Sequence, residues 1–242
     1  MCTVTYIPLG SNLYVLTSNR DERTARPTDA LAFYNIKGNT VIYPKDKVAQ
    51  GSWIATSAKA TVCLLNGAFE PHISYPPYKH SRGLVVVDYF KFSGYNDFYQ
   101  QFAFEGIEPF TLIILESLMV LEIRWDGTSK FITEFVADQP RIWSSVTLYA
   151  PDIIQKREEW FREWLRSNRE MLRKTPSAVV DFHRFGGEGD DENDLVMKRK
   201  YDLQTVSITS IVKNLDYINL SYFDIIENKE HFSTLPLNPS YA

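Results

Sequence analysis

The feature that most limits the fold of this chain is a pair of alternating segments at its start, separated by a turn. In residues 2–7 the side chains of Cys2, Val4 and Tyr6 share one face and those of Thr3, Thr5 and Ile7 the other, the two-residue period of a strand. Residues 13–18 form a second such run after the turn sequence PLGSN, so the chain opens on a β-hairpin. A lone hairpin is marginal in water and must join further strands or pack against a helix.

Further strands are legible downstream. Residues 52–57 and 61–65 are β-branched or apolar runs joined by Ala58-Lys59-Ala60, and they predict a second hairpin ending at Asn66-Gly67. Residues 110–116, 119–125 and 130–136 predict a three-strand meander, with Asp126-Gly127 supplying one turn. Residues 204–212 and 217–223 predict a last hairpin. Segments 84–91 and 95–104 read as helices. The longest periodic stretch is 151–174, where Ile153, Ile154, Trp160, Phe161, Trp164, Leu165, Met171 and Leu172 recur at helical spacing and Glu158 and Arg162 lie on the wet side. This predicts an amphipathic helix packed on a sheet. The run FGGEGDDEND at 185–194 is nearly devoid of apolar residues and is expected to be a mobile loop. Strands at both ends with helices between give an α+β class, and periodicity leaves the layer arrangement open.

A chain of 242 residues, 44% hydrophobic and 23% charged, can bury one substantial core, so a single domain over 1–242 is expected. The net charge of −4 leaves no cationic excess for a phosphate backbone or an anionic membrane surface. No basic stretch followed by an apolar run precedes the first strand, and no apolar run approaches the length of a membrane span, so a soluble, cytoplasmic protein without membrane insertion is expected. Two cysteines, Cys2 and Cys63, are too few for a disulfide framework. The four histidines show no metal-ligand spacing, and no metal or cofactor is expected.

Chemistry concentrates at the start. The small side chain of Cys2 permits removal of Met1, which leaves a thiol and a free α-amine on one residue. That amine titrates near 7.7–8.0 and the thiol near 8.5, so the amine can accept the thiol proton. A buried strand cysteine is the competing reading. The run Ser18-Asn19-Arg20-Asp21-Glu22-Arg23 falls where the second strand returns beside the first. A carboxylate there could hold the amine, and Arg20 could orient that carboxylate or bind an anionic substrate; a self-paired charged turn is the alternative.

The blocks MCTVTYIP, LTSNRDERTARP, GSWIATSAKATVCLLNG, WSSVTLYAP and QTVSITSI occur in that order from Met1 to about Ile211. Together they resemble the NRDE family, also called the transport and Golgi organisation family. The resemblance implies a four-layer αββα sandwich of the N-terminal-nucleophile (Ntn) hydrolase type, related to bile salt hydrolases and penicillin V acylases. It assigns Cys2 as nucleophile, its amine as base, Asp21 as the anchor of that amine and Asn66 as an oxyanion-side residue. Asn66-Gly67 also reads as a plain turn after a strand. Asn19 and Ser145 are expected on the substrate side. Two departures stand out: the acylases carry an arginine where this chain has Ser18, with Arg20 in its place, and an asparagine near Ser145. The acylases' late arginine has no clear match either, although Arg199 and Lys200 lie nearby in sequence. Two functions follow from the resemblance: hydrolysis of a small amide or acyl compound, or non-catalytic binding or trafficking of a lipidic ligand such as acyl-coenzyme A or haem.

Overall fold

The computed structural model describes residues 3–10 and 12–238. Their fold is α+β, with two seven-stranded sheets in which every strand pair is antiparallel. The chain opens with β1 (Thr3–Gly10) and β2 (Leu13–Arg23). It then builds β3 (Thr28–Ile36), β4 (Asn39–Asp46), β5 (Ile54–Ser57) and β6 (Ala60–Asn66). Helices α1 (Arg82–Tyr89) and α2 (Tyr95–Gln101) precede β7 (Phe110–Glu116), β8 (Met119–Trp125) and β9 (Lys130–Phe135). After β10 (Arg141–Ser144) come the long α3 (Pro151–Lys174) and α4 (Val179–Phe185). Strands β11 (Lys198–Arg199), β12 (Leu203–Lys213), β13 (Tyr217–Asp224) and β14 (Lys229–Pro236) close the chain.

Two compact units emerge, neither a contiguous segment. One comprises Met1–Ala25, Asp138–Ser144 and Tyr149–Ala242; the other comprises Arg26–Ala137 and Ser145–Leu148. The first holds the sheet ordered β10-β1-β2-β12-β13-β14, with β11 paired to β12, so the opening hairpin lies inside the sheet. The second holds the simple meander β3-β4-β5-β6-β7-β8-β9. Residues 24–51, which the sequence analysis leaves unassigned, supply β3 and β4, joined at Lys37-Gly38 with both residues at positive φ. The connection of β7 to β8 is another tight turn, Ser117-Leu118, again with positive φ at both residues, the geometry that matches strand twist.

In the first unit, strand alternation separates two faces. Ile7 and Val15 join Phe161, Leu172, Val179, Phe182 and Leu195 in one apolar cluster, against which Trp160, Trp164 and Leu165 pack. Helix α3 begins with Pro151 in its first turn beside Asp152 and ends on Arg173 and Lys174, which suits the helix dipole at both ends. Two residues of α3 depart from the expected stripe. Met171 is 41% exposed, and Arg157, which lies four residues before Phe161, is fully buried. The acidic run is also more structured than a mobile loop. Asp194 accepts from the backbone N–H of Glu188 and Gly189, Asp190 accepts from Glu192, and Leu195 N–H returns to the Gly186 carbonyl. Carboxylates at this spacing close the loop through their own backbone, which a reading by solvation alone misses.

In the second unit, Val62, Leu64, Leu112, Ile114 and Leu121 are buried along β6, β7 and β8. Cys63, opposite Ile54 and Ile113, is a buried packing residue as its strand position predicts. Phe98 stacks on Phe102, and Phe104 packs edge-on against Phe98 and stacks on Phe110 beneath α2. No helix among the described residues is long and apolar enough to cross a membrane.

Candidate functional site

Asn19, Arg20, Asp21 and Glu22 are not a turn: they continue β2, whose pairing with β1 sets Thr3 opposite Asn19 and whose pairing with β12 sets Thr205 opposite Asp21. Alternation therefore divides the group that is contiguous in sequence. Asn19 and Asp21 share the face of Thr3, Thr5 and Ile7, toward α3 and α4, whereas Ser18 and Arg20 lie on the opposite face with Val4 and Tyr6.

On the helix-side face the polar groups form one buried network. Asp21 is 3% exposed and its carboxylate accepts from Tyr149 Oη at 2.7 Å and from Thr205 Oγ1 at 2.6 Å. Asn19 is fully engaged through its amide hydrogens, which go to the carbonyls of Leu195 at 2.6 Å and His183 at 3.2 Å. Its Oδ1 faces His183 Nδ1 at 2.5 Å, and because that oxygen can only accept, Nδ1 carries the imidazole proton. His183 Nε2 then accepts from the Thr5 hydroxyl at 2.7 Å. Burial, with Arg157 nearby, pushes the His183 pKa down to about 3, so the ring is neutral.

Arg157 spans this network. Its guanidinium donates to Thr3 Oγ1, to the Asn193 carbonyl at 2.9 Å and to the Asp194 carbonyl at 2.7 Å, and it lies 3.6 Å over the ring of Tyr149. Arg199 approaches the same ring at 5.0 Å. Arg199 thus meets this network at the Tyr149 ring.

On the opposite face Arg20 is 2% exposed and lies across from Ser207, with Ser18 across from Thr209. Ser207 Oγ and Thr209 Oγ1 are buried without a hydrogen-bond partner among the described residues. This gives the face a polar end at Arg20 that passes into apolar Leu16 and Ile211 one pair further along.

Asn66 and Ser145 are brought together within the second unit. Ser145 Oγ donates to the Asn66 carbonyl at 2.8 Å and lies 2.9 Å from Thr147 Oγ1. Gly67, at φ +83°, has no room for a Cβ against Val146 and Thr147. Its N–H donates to the Pro109 carbonyl at 3.0 Å, which occupies the backbone donor nearest Asn66. The Asn66 side-chain Oδ1 has no partner among the described residues. Cys2, the expected nucleophile, lies outside the described residues. Among those residues no three His, Cys, Asp or Glu side chains are grouped so that they could hold a metal ion.

Tyr149, Arg157, His183 and Thr205 are the site residues that sequence reasoning did not single out. Only Arg157 had a plain signal, a lone charge on the apolar stripe of α3, seven residues before Trp164.

The sequence model described as Transport and Golgi organisation 2 matches residues 1–183. No curated protein matches the chain. Among solved structures, an arginine-to-leucine variant of the conjugated bile acid hydrolase from Clostridium perfringens superposes with a TM-score of 0.55 at 8% identity, covering 98% of this chain and 97% of that one. At that identity the likeness is one of fold: an Ntn-hydrolase-like fold.

Proposed function

This chain belongs to the Transport and Golgi organisation 2 family, and from that premise we propose that it is an N-terminal-nucleophile hydrolase that cleaves a small amide or related acyl compound through Cys2. Removal of Met1 exposes the α-amine of Cys2. The amine takes the thiol proton, the thiolate adds to the substrate carbonyl, and the tetrahedral oxyanion collapses as the leaving amine receives the proton. The thioester that remains is then hydrolysed by a water deprotonated by the same amine, which releases the acid and restores the thiol.

Asp21 is the observation that carries this reading. It is a buried carboxylate on the strand paired with β1, bonded to the Tyr149 and Thr205 hydroxyls, and a buried carboxylate at that place suits an anchor for the α-ammonium. The proposal requires Cys2 to extend β1 by one residue, which in this register is across from Arg20. In this proposal the Arg20 guanidinium favours the thiolate or an anionic substrate group, and Asp21 anchors the amine. Asn66 would donate its side-chain amide to the oxyanion, since the Gly67 N–H is occupied. Ser145 would fix the Asn66 turn, and Asn19 would hold the strand face beneath the site rather than touch substrate. The αββα layering, a single domain over 1–242 and a cytoplasmic location belong to the same proposal.

Intact mass of protein made in cells, together with hydrolysis of a panel of N-acyl amides by wild type and Cys2→Ala, tests it. The expected results are a mass lacking Met1 and turnover that Cys2→Ala abolishes. Retained Met1, or equal turnover by both proteins, contradicts the proposal. A Cys2→Ala protein that binds acyl-coenzyme A or haem as wild type does, with no turnover by either, supports the non-catalytic reading instead.

A further inference from the structure

We propose that Arg157 is a positioning residue of this site, fixing the start of β1 and the Asp21 carboxylate through one guanidinium. The inference rests on Cys2 being the nucleophile. Nη1 holds Thr3 Oγ1, the side chain one residue beyond Cys2. Nε and Nη2 are fixed by the Asn193 and Asp194 carbonyls of the acidic loop. The flat face of the group lies 3.6 Å over the Tyr149 ring, and Tyr149 donates to Asp21 Oδ2 at 2.7 Å. A single rigid fork from α3 therefore reaches both partners that a catalytic strand end needs: the strand itself and the carboxylate beside it.

Packing alone does not account for this residue. Arg157 is fully buried and makes no ion pair with a described carboxylate, so its charge is solvated only by carbonyls, one hydroxyl and a ring face. An apolar side chain of similar volume would suit the stripe occupied by Phe161 and Leu172 at less desolvation cost. The charged and titratable groups that face it include Tyr149, whose ring it covers, Asp194, whose carbonyl it holds, His183 from α4 and Arg199 from β11; Asp21 is reached through Tyr149. Lysine cannot replace the fork, because an ammonium neither spans these acceptors nor stacks on the ring in the same way.

The test is the pH dependence of Cys2 alkylation by iodoacetamide, resolved by peptide mass, in wild type, Arg157→Lys, Arg157→Met, Thr3→Val and Phe161→Leu. Thr3→Val removes the acceptor on β1 with little change of shape. Phe161→Leu, one turn along the same face, loosens the core without touching the network. We expect Arg157→Lys, Arg157→Met and Thr3→Val to raise the midpoint by about one pH unit, from near 7 toward the ordinary thiol value of about 8.5, with labelling at pH 7 about fivefold slower. Phe161→Leu should lower Tm and leave the midpoint where it is. Should Arg157→Met fail to fold, Arg157→Lys and Thr3→Val decide the matter. Midpoints equal to wild type in those variants, or an equal shift in Phe161→Leu, overturn the role of Arg157 alone. A wild-type Cys2 that labels as an ordinary thiol overturns the nucleophile reading, and this inference with it.

Discussion

Replacing His183 with Asn should remove a defined part of this protein's sensitivity to acid. The ring is fully buried, its Nδ1–H given to Asn19 and its Nε2 accepting from Thr5, with Arg157 close by. A second ring proton would point a donor at the Thr5 hydroxyl and place a second cation beside the guanidinium. The folded pKa therefore falls from 6.5 to about 3. Between those values the unfolded chain binds a proton that the folded chain does not, so stability is lost as pH falls below 6.5. The loss is about 2 kcal/mol by pH 5 and about 5 kcal/mol by pH 3, at about 1.36 kcal/mol per unit. His183→Asn keeps a donor toward Asn19 and abolishes the titration, while the carboxylates common to both proteins cancel in the difference. Urea unfolding at pH 7 and pH 5 should show wild type losing about 2 kcal/mol more than the variant. The imidazole resonances of His183 should also stay those of a neutral ring down to pH 4.5. Equal losses in the two proteins, or a ring that titrates near 6.5, would refute the neutral buried imidazole.

Other substitutions test the packing. Thr209→Val replaces a buried, unpartnered hydroxyl with a methyl and should leave Tm unchanged or raise stability by about 1 kcal/mol; a loss of 2 kcal/mol or more would mean the hydroxyl is satisfied. Gly67→Ala forces a Cβ against Val146 and Thr147 at positive φ and should cost about 1–3 kcal/mol in urea unfolding, so a neutral result would contradict the turn beside Asn66. Along α3, Phe161→Ala should cost about 3–5 kcal/mol and Met171→Ala under about 0.5 kcal/mol, and similar losses at both would misplace the buried stripe.

Alternating, apolar or helically periodic runs located the opening hairpin, the β7–β9 meander and α3; the meander and α3 match their expected bounds to within one residue, whereas β2 runs on past residue 18 to Arg23. Strands β3 and β14 carry large apolar residues at exposed positions, Phe33 and Phe232, which break the apolar-in, polar-out rule. Helix α4 is too short to show a period. Met171 was assigned to the dry face of α3 by type, and it sits beside Leu172, which alone turns inward.

The site was legible in part for a different reason. A run such as Ser18-Asn19-Arg20-Asp21 advertises polarity, but its chemistry depends on which side chains share a face, and that follows from whether the run is a turn or a strand. Continued as strand, it puts Asp21 with Tyr149 and Thr205 and puts Arg20 with Ser207. Tyr149 lies 128 residues from Asp21 and Thr205 184, so no local pattern could have joined them. Arg157 could have been found, since a charge among Phe161, Trp164 and Leu172 at helical spacing asks for a buried partner.

The central claim is that Cys2 is a nucleophile activated by its own amine and by Asp21. Its most direct test is the ratio of iodoacetamide labelling rates at Cys2 and at a small free thiol, measured at pH 7 in wild type and Asp21→Asn, with buried Cys63 as the internal slow site. A thiol pKa brought from about 8.5 to near 7 raises the thiolate fraction roughly tenfold, so wild-type Cys2 should label about tenfold faster than the free thiol, and Asp21→Asn should lose most of that advantage. A Cys2 that labels no faster than the free thiol, at a rate Asp21→Asn leaves unchanged, contradicts the account.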